Sequence, residues 1–283
     1  MKKIYLSITF ILFAAALFAQ QQEITVCHTS ATEKFAVFAS SKEFKASHAT
    51  PGKYVHVSEE GGKMIKFKCA DGVEANGYLI ESKTKTNNWI LVFQEWWGLN
   101  DYIKKQSDNL YKDLGNVNIL AVDMYDGKVT NQREDAARYM QEFKQERGNA
   151  IVKGALEYAG KNARVGTIGW CFGGGQSLLA ALTAGKQAAA CVIYYGMPVE
   201  DVARLKELNC EVLGIFATQD KWINPETVAK FESNMSAAGK KLTLKSYNAD
   251  HGFANPSNAM GYKEEATKDA YENTLAFFKS KLK

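Results

Sequence analysis

From Met64 onward, short apolar runs alternate with longer amphipathic stretches. Trp89-Ile90-Leu91-Val92-Phe93 and Val117-Asn118-Ile119-Leu120-Ala121-Val122 are nearly unbroken apolar runs, the pattern of strands buried on both faces. Residues 165–169, 189–195, 212–217 and 242–247 are strand-like too. Between these runs, Tyr102 to Leu114 alternates with helical period and stops at Gly115, and the stretches Asn131 to Gln145 and Asn149 to Tyr158 read as helices. Ile65-Lys66-Phe67 and Gly77-Tyr78-Leu79-Ile80 flank the turn Ala70-Asp71-Gly72 and suit two antiparallel edge strands. Such alternation predicts the α/β class: a mainly parallel sheet flanked by helices on both faces, with its ligand site at the carboxyl ends of the strands.

The first sixty residues are patterned differently. In residues 20–62 Ser, Thr, Lys and His are frequent, and Pro51-Gly52 and Gly61-Gly62 punctuate the segment. We read it as a short N-terminal extension to a domain spanning residues 63–283. Ala31 to Phe44 suits a short helix or two that bury Phe35, Phe38 and Phe44. Cys27-His28, His48 and His56 suggest a metal site, but the spacings fit no common zinc pattern, and the histidines read as solvated. No metal or organic cofactor is expected.

Residues 1–19 stand apart again. Lys2 and Lys3 precede an apolar run from Ile4 to Phe18 that ends at Ala19, the form of a secretory signal peptide. Ser7 and Thr9 interrupt the run, and it falls short of the ~20 apolar residues of a membrane span. The expectation is cleavage near Ala19, release to the periplasm or the exterior, and no stable membrane insertion afterwards. Cleavage removes two lysines and no acid, taking the formal charge from +4 to +2, and no nucleic-acid partner is implied. With 46% hydrophobic and 23% charged residues and four prolines, the chain is neither disordered nor fibrous. Its five cysteines leave at least one unpaired in an oxidising compartment. Cys191 reads as a small buried hydrophobe, and spacing does not fix which of Cys27, Cys69 and Cys210 pair.

The strongest chemical signal is Gly169-Trp170-Cys171-Phe172-Gly173, which follows a strand-like run and fits Gly-x-nucleophile-x-Gly with Cys in place of Ser. The two glycines let strand and helix pack closely. The helix beginning near Gly173 points its free N–H groups at the sulfur, favouring a thiolate and later an oxyanion. A thiol nucleophile needs a base, and the base needs an orienting carboxylate. Of four histidines three precede the sheet domain, which leaves His251. Asp220, just past a strand, completes the order nucleophile, acid, His. Asp201 and Glu226 compete on order alone, but neither directly follows a strand; Asp250 is better placed to face solvent.

Gln94-Glu95-Trp96-Trp97-Gly98, Gly169-Trp170-Cys171-Phe172-Gly173-Gly174, Asp220 and His251-Gly252-Phe253 together resemble the dienelactone hydrolase family of the α/β-hydrolase fold, over about residues 63–283. The resemblance implies hydrolysis of a small ester or lactone, a triad of Cys171, Asp220 and His251, modulation of the thiol by Glu95, and an oxyanion hole from the backbone N–H groups of Trp96 and Phe172. Where family members that act on the dienelactone carry arginines for the substrate carboxylate, this chain offers Asn255 and Lys128. With Tyr125, these are the candidate substrate-binding residues. The alternative is a non-hydrolytic protein whose Cys171 serves redox chemistry or ligand binding. It would need neither His251 nor Asp220, and the chain has no Cys-x-x-Cys.

Overall fold

The computed structural model describes residues Ser30 to Lys283. The expected signal peptide, Cys27 and His28 lie outside the described residues. The core is an eight-stranded sheet in the order β1 (Lys63–Phe67), β2 (Ala75–Ile80), β4 (Asn118–Val122), β3 (Asn88–Phe93), β5 (Arg164–Trp170), β6 (Ala188–Tyr194), β7 (Glu211–Ala217) and β8 (Leu242–Tyr247). β1 and β2 are antiparallel, β2 is antiparallel to β4, and every later pair is parallel. The expected edge hairpin and parallel sheet are therefore both present. β3, β4 and β5 are buried nearly throughout, as their unbroken apolar runs require.

Helices cover both faces. α3 (Asp101–Leu114) and α9 (Glu264–Lys281) pack together on one side; α5 (Gln145–Ala159) and α6 (Phe172–Ala184) pack on the other. Asn100 caps α3 by accepting from the Ile103 N–H, and Gly115 ends it with φ +80°, where a left-handed residue releases the chain from the helix. The charged stretch after β4 forms α4 (Arg133–Glu142) and then α5, separated by Phe143 and Lys144.

The extension does not stand off as a separate appendage. α1 (Ala31–Phe38) and α2 (Lys42–Ser47) form where expected, each opened by a serine cap, Ser30 and Ser41. α1 packs on α4 and α6, and α2 on α4. Phe35 and Phe44 are fully buried and Phe38 partly so. Polar groups fasten the segment as well. Thr32 Oγ1 donates to Gln145 Oε1 at 2.5 Å, Gln176 Nε2 donates to Thr32 Oγ1 at 3.0 Å, and Arg133 Nε donates to the His48 carbonyl at 2.7 Å. Residues 49–62 then run past α3 to reach β1. There Asp108 accepts from Ser58 Oγ at 2.6 Å and from Tyr78 OH at 2.8 Å, and His56 Nε2 stands 3.0 Å from the same carboxylate. The reading of His48 and His56 as solvated is thus corrected. His48 is only 8% exposed, and the His56 side chain is nearly as covered. The cause is the Phe35/Phe44 stripe, which must be buried and draws the whole segment onto the domain.

Candidate active site

β5 ends at Trp170, and α6 starts at Phe172. Cys171 joins them with φ +57° and ψ −120°, a conformation rare outside glycine that costs of order 1–3 kcal/mol. Its surroundings enforce it. A Cβ on Gly169 would lie 2.1 Å from the Gly173 carbonyl oxygen, and one on Gly173 would lie 2.3 Å from that of Phe93, so both positions require glycine for close packing. The same packing sets α6 against the end of β3, which Gln94, Glu95 and Trp96 follow.

β7 delivers Asp220 and the loop after β8 delivers His251, so register-matched neighbouring strands carry both. His251 Nδ1 lies 2.6 Å from Asp220 Oδ2. The other oxygen, Oδ1, accepts from the Trp222 and Ile223 N–H groups at 2.8 and 2.9 Å. These bonds and the nearby His251 outweigh burial and hold the Asp220 carboxyl below its usual range, even though burial is the largest single influence. Burial also works against protonating His251, but Asp220 and Cys171 together raise it well above the ordinary imidazole value. Its Nε2 has no other partner among the described residues, and the ring stands within 4.8 Å of Cys171 Sγ, near enough for a charge pair. The competing acids lie elsewhere: Asp201 caps the four-residue helix that starts at Val202, Glu226 is in the first turn of the helix Pro225–Ala237, and Asp250 is exposed.

The sulfur is 1% exposed. Burial pushes its pKa up; His251 and the Phe172 N–H oppose this without cancelling it. Burial is the largest influence on the thiol and keeps its pKa raised at the helix end. Glu95 is buried next to the β3 end and accepts from Asn255 Nδ2. Burial raises it to about 7, against opposing pulls from His251 and Asn255. Asn255 is thus engaged with Glu95, and its own Oδ1 accepts from Ser257. Lys128 is paired at the surface: its ammonium is half exposed, 3.5 Å from Glu142 and over the Tyr139 ring. Tyr125 does reach the site. Its ring lies 5.3 Å from that of Phe172, and its buried hydroxyl has no partner among the described residues.

Sequence reasoning missed His48. Its Nε2 lies 4.0 Å from Cys171 Sγ, its ring is 5.3 Å from that of His251, and Phe44 and Trp96 stack around it at 4.4 and 4.6 Å. His48 precedes the sheet domain in the chain, yet the extension folds back and brings it over the thiol. The signal was present in the spacing, because Phe44 and His48 are one helical turn apart and share a face. Phe44 also meets Trp222 and His251. The segment therefore roofs the nucleophile. The neighbouring clefts stop short of it: one is lined by Glu95, Trp170 and Asn255, the other by Glu43, Ser47, Trp222 and His251.

Residues 75–282 match the model of the dienelactone hydrolase family. The chain belongs to that family. Among similar proteins, a putative carboxymethylenebutenolidase of Aquifex aeolicus is 28% identical over 235 residues, covering 78% of this chain and 100% of that one. A carboxymethylenebutenolidase of Pseudomonas putida is 28% identical over 229 residues, covering 75% and 94%. Among solved structures, a putative dienelactone hydrolase of Klebsiella pneumoniae superposes with a TM-score of 0.64 at 22% identity, over 76% of this chain and 98% of that one. A dienelactone hydrolase-like promiscuous phosphotriesterase from metagenomic libraries gives 0.69 at 20%, over 78% and 99%. The fold is that of the α/β-hydrolases, and the protein is a dienelactone hydrolase-like hydrolase of small molecules. His48 and the roof lie outside the residues that match the family. Among the described residues no helix is long and apolar enough to cross a membrane.

Proposed function

We propose that residues 63–283 hydrolyse an ester or lactone through a covalent thioester on Cys171, and that the protein works after export. The observation that carries the reading is the strained Cys171 at the start of α6 with the Asp220-bound His251 beside it. In this scheme His251 takes the thiol proton, Asp220 stabilises the imidazolium, and the thiolate attacks the substrate carbonyl. The oxyanion is received by the backbone N–H groups of Phe172 and Trp96. His251 then protonates the departing alkoxide, and water, with His251 as base, releases the acid. Glu95 is placed to share the thiol proton, since its pKa near 7 lets it take or hold a proton at neutral pH. Tyr125 offers its unpartnered hydroxyl to the substrate.

Two features narrow the substrate. Asn255 is a neutral amide already bonded to Glu95, and Lys128 is paired at the surface, so neither supplies a free cation for a carboxylate, which favours uncharged esters or lactones. Substrate entry requires the roof around Phe44 and His48 to move. Export is supported by the leader-like residues 1–19 alone. The non-hydrolytic alternative is the weaker reading, because it has no use for the Asp220–His251 pair. The test is turnover on a panel of short aryl esters, lactones and thioesters, with Cys171→Ala as blank and electrospray mass spectrometry to trap the acyl adduct. Cys171-dependent turnover with an adduct on Cys171 is expected. Equal turnover in Cys171→Ala, or none on any substrate class, would overturn the proposal.

A further inference from the structure

Two imidazoles and one thiol meet in the covered site with too few hydrogens to satisfy one another. His48 Nδ1 lies 2.7 Å from the Phe44 carbonyl oxygen. A carbonyl only accepts, so Nδ1 carries the hydrogen and Nε2 a lone pair. Asp220 holds His251 in the same way, which leaves Nε2 of the neutral ring with a lone pair too. One ring nitrogen of each imidazole and Cys171 Sγ lie within 4.8 Å of one another, His48 Nε2 at 4.0 Å from the sulfur, and all three side chains are buried. A single S–H can point at only one nitrogen. Passing its proton to His251 does not help, because His48 Nε2 then faces a thiolate, lone pair against lone pair. In either state one buried acceptor goes unmet, as His251 Nε2 does here. A cation would satisfy all three donors at once.

We propose that His48, Cys171 and His251 form a binding site for a borderline-soft metal ion, Zn²⁺ in the first instance. A thiolate and two neutral imidazoles are a ligand set zinc accepts, with one position left for water. The usual second-shell bonds are already made, His251 to a carboxylate and His48 to a backbone carbonyl. Tetrahedral Zn–N of ~2.0–2.1 Å and Zn–S of ~2.3 Å place these donor atoms roughly 3.3–3.6 Å apart. The 4.0 Å Cys171–His48 separation is about half an ångström above the N–S spacing, and donor spacings of up to 4.8 Å close by roughly 1 Å as the imidazoles turn toward the ion. Binding replaces the S–H bond with a Zn–S bond and releases one proton to solvent, with no change of oxidation state. The ion would tie the roof to the domain, because one ligand comes from each side of the contact, and it would occupy the nucleophile's lone pair.

The inference uses the same sulfur as the hydrolase reading but rests on donor geometry, and it is tested without an ester present. Purified full chain, stripped with a chelator, is dialysed against Zn²⁺ or Co²⁺ alone. One ion per chain is expected, with a thiolate-to-cobalt charge-transfer band, release of about one proton per chain on binding, and slower alkylation of Cys171 by iodoacetamide. His48→Ala should weaken binding at least about tenfold. Cys171→Ser should remove the charge-transfer band, while His56→Ala should keep both the band and the stoichiometry. Circular dichroism of each variant separates ligand loss from unfolding, and should His48→Ala fail to fold, His48→Gln carries the same expectation. Substoichiometric binding by the wild type, or affinity unchanged by loss of His48, would overturn the proposal whatever the esterase assay shows.

Discussion

His251 and His48 approach one sulfur side by side, their rings 5.3 Å apart, and differ in what holds them. His251 belongs to the loop after β8 and leans on the Asp220 carboxylate, which makes a proton on the ring favourable and raises its pKa well above normal. His48 belongs to the extension and leans on the Phe44 carbonyl, which can orient the ring but brings no full charge. Burial, reinforced by the neighbouring His251, drops it to about 3. Two equally buried imidazoles in one pocket are thus divided into a proton carrier and a permanently neutral ring by the charge of the group behind each.

The comparison breaks most sharply on removal of each ring in turn. His251→Ala should lower kcat/KM by about three orders of magnitude or more, and Asp220→Asn should come close to it by leaving the wrong tautomer. Loss of His48 should go the other way, raising kcat/KM, because a neutral ring that fills the entry contributes no proton and its removal eases opening. Steady-state kinetics on one neutral aryl ester checks all three. Equal losses from His48→Ala and His251→Ala would show that both rings take part in proton transfer.

A smaller effect isolates the roof without touching either ring. Arg133→Ala removes the guanidinium that bonds the His48 carbonyl. A charge-assisted bond of this kind contributes about 1.5–3 kcal/mol, and partial exposure of the guanidinium argues for the lower end. Opening should then be roughly tenfold more frequent, and alkylation of Cys171 by iodoacetamide faster by about that factor. Unchanged alkylation would mean that access to the sulfur does not pass beneath α2.

How much of this was legible follows the range of the contacts. The strands and the candidate residues Cys171, Asp220 and His251 were readable because each is signalled locally: β3 and β4 by unbroken apolar runs, the turn at Cys171 by flanking glycines, Asp220 and His251 by position just past a strand. The roof was half readable. Phe35 and Phe44 signalled a buried face, yet nothing local says which surface buries it, and the answer, Trp96, Trp222 and His251, lies 50 to 200 residues away. Asn255 was half readable for a related reason. Its place in a motif marks it as a candidate substrate contact, but nothing local says that its amide also bonds Glu95 across the site.

Glu95 supplies a pH dependence whose sign can be worked out. Its folded pKa of about 7 lies above the ordinary 4.5, so between those values the folded state binds more protons than the unfolded chain. Stability from this group is complete below about pH 4.5 and is lost as pH rises toward 7, by up to a few kcal/mol at the order-of-magnitude level. Glu95→Gln should therefore be more stable than wild type above pH 7 and gain little at pH 4.5. The same variant should alter the pH profile of Cys171 alkylation, because the carboxylate and the thiol titrate as coupled groups. Denaturant melts at pH 5 and pH 8 test the first expectation. A stability difference that does not change with pH would mean that the carboxyl is already ionised in the fold at low pH.

The smallest effect is expected at Lys128, and it bears on whether charge at the rim selects the substrate. Its ammonium is half exposed, at 3.5 Å from Glu142, and rests over Tyr139. An exposed pair of this geometry contributes about 0–1 kcal/mol, and an ammonium held there does not reach into the covered site where His251 and His48 stand. Lys128→Ala should change KM by less than about twofold for neutral esters, in keeping with that small interaction, and should treat anionic esters no differently. A selective rise in KM for anionic esters alone would show that the loop after β4 swings its cation over the site when the roof opens. Substrate charge would then be read by a moving part of the rim instead of by the residues around Cys171.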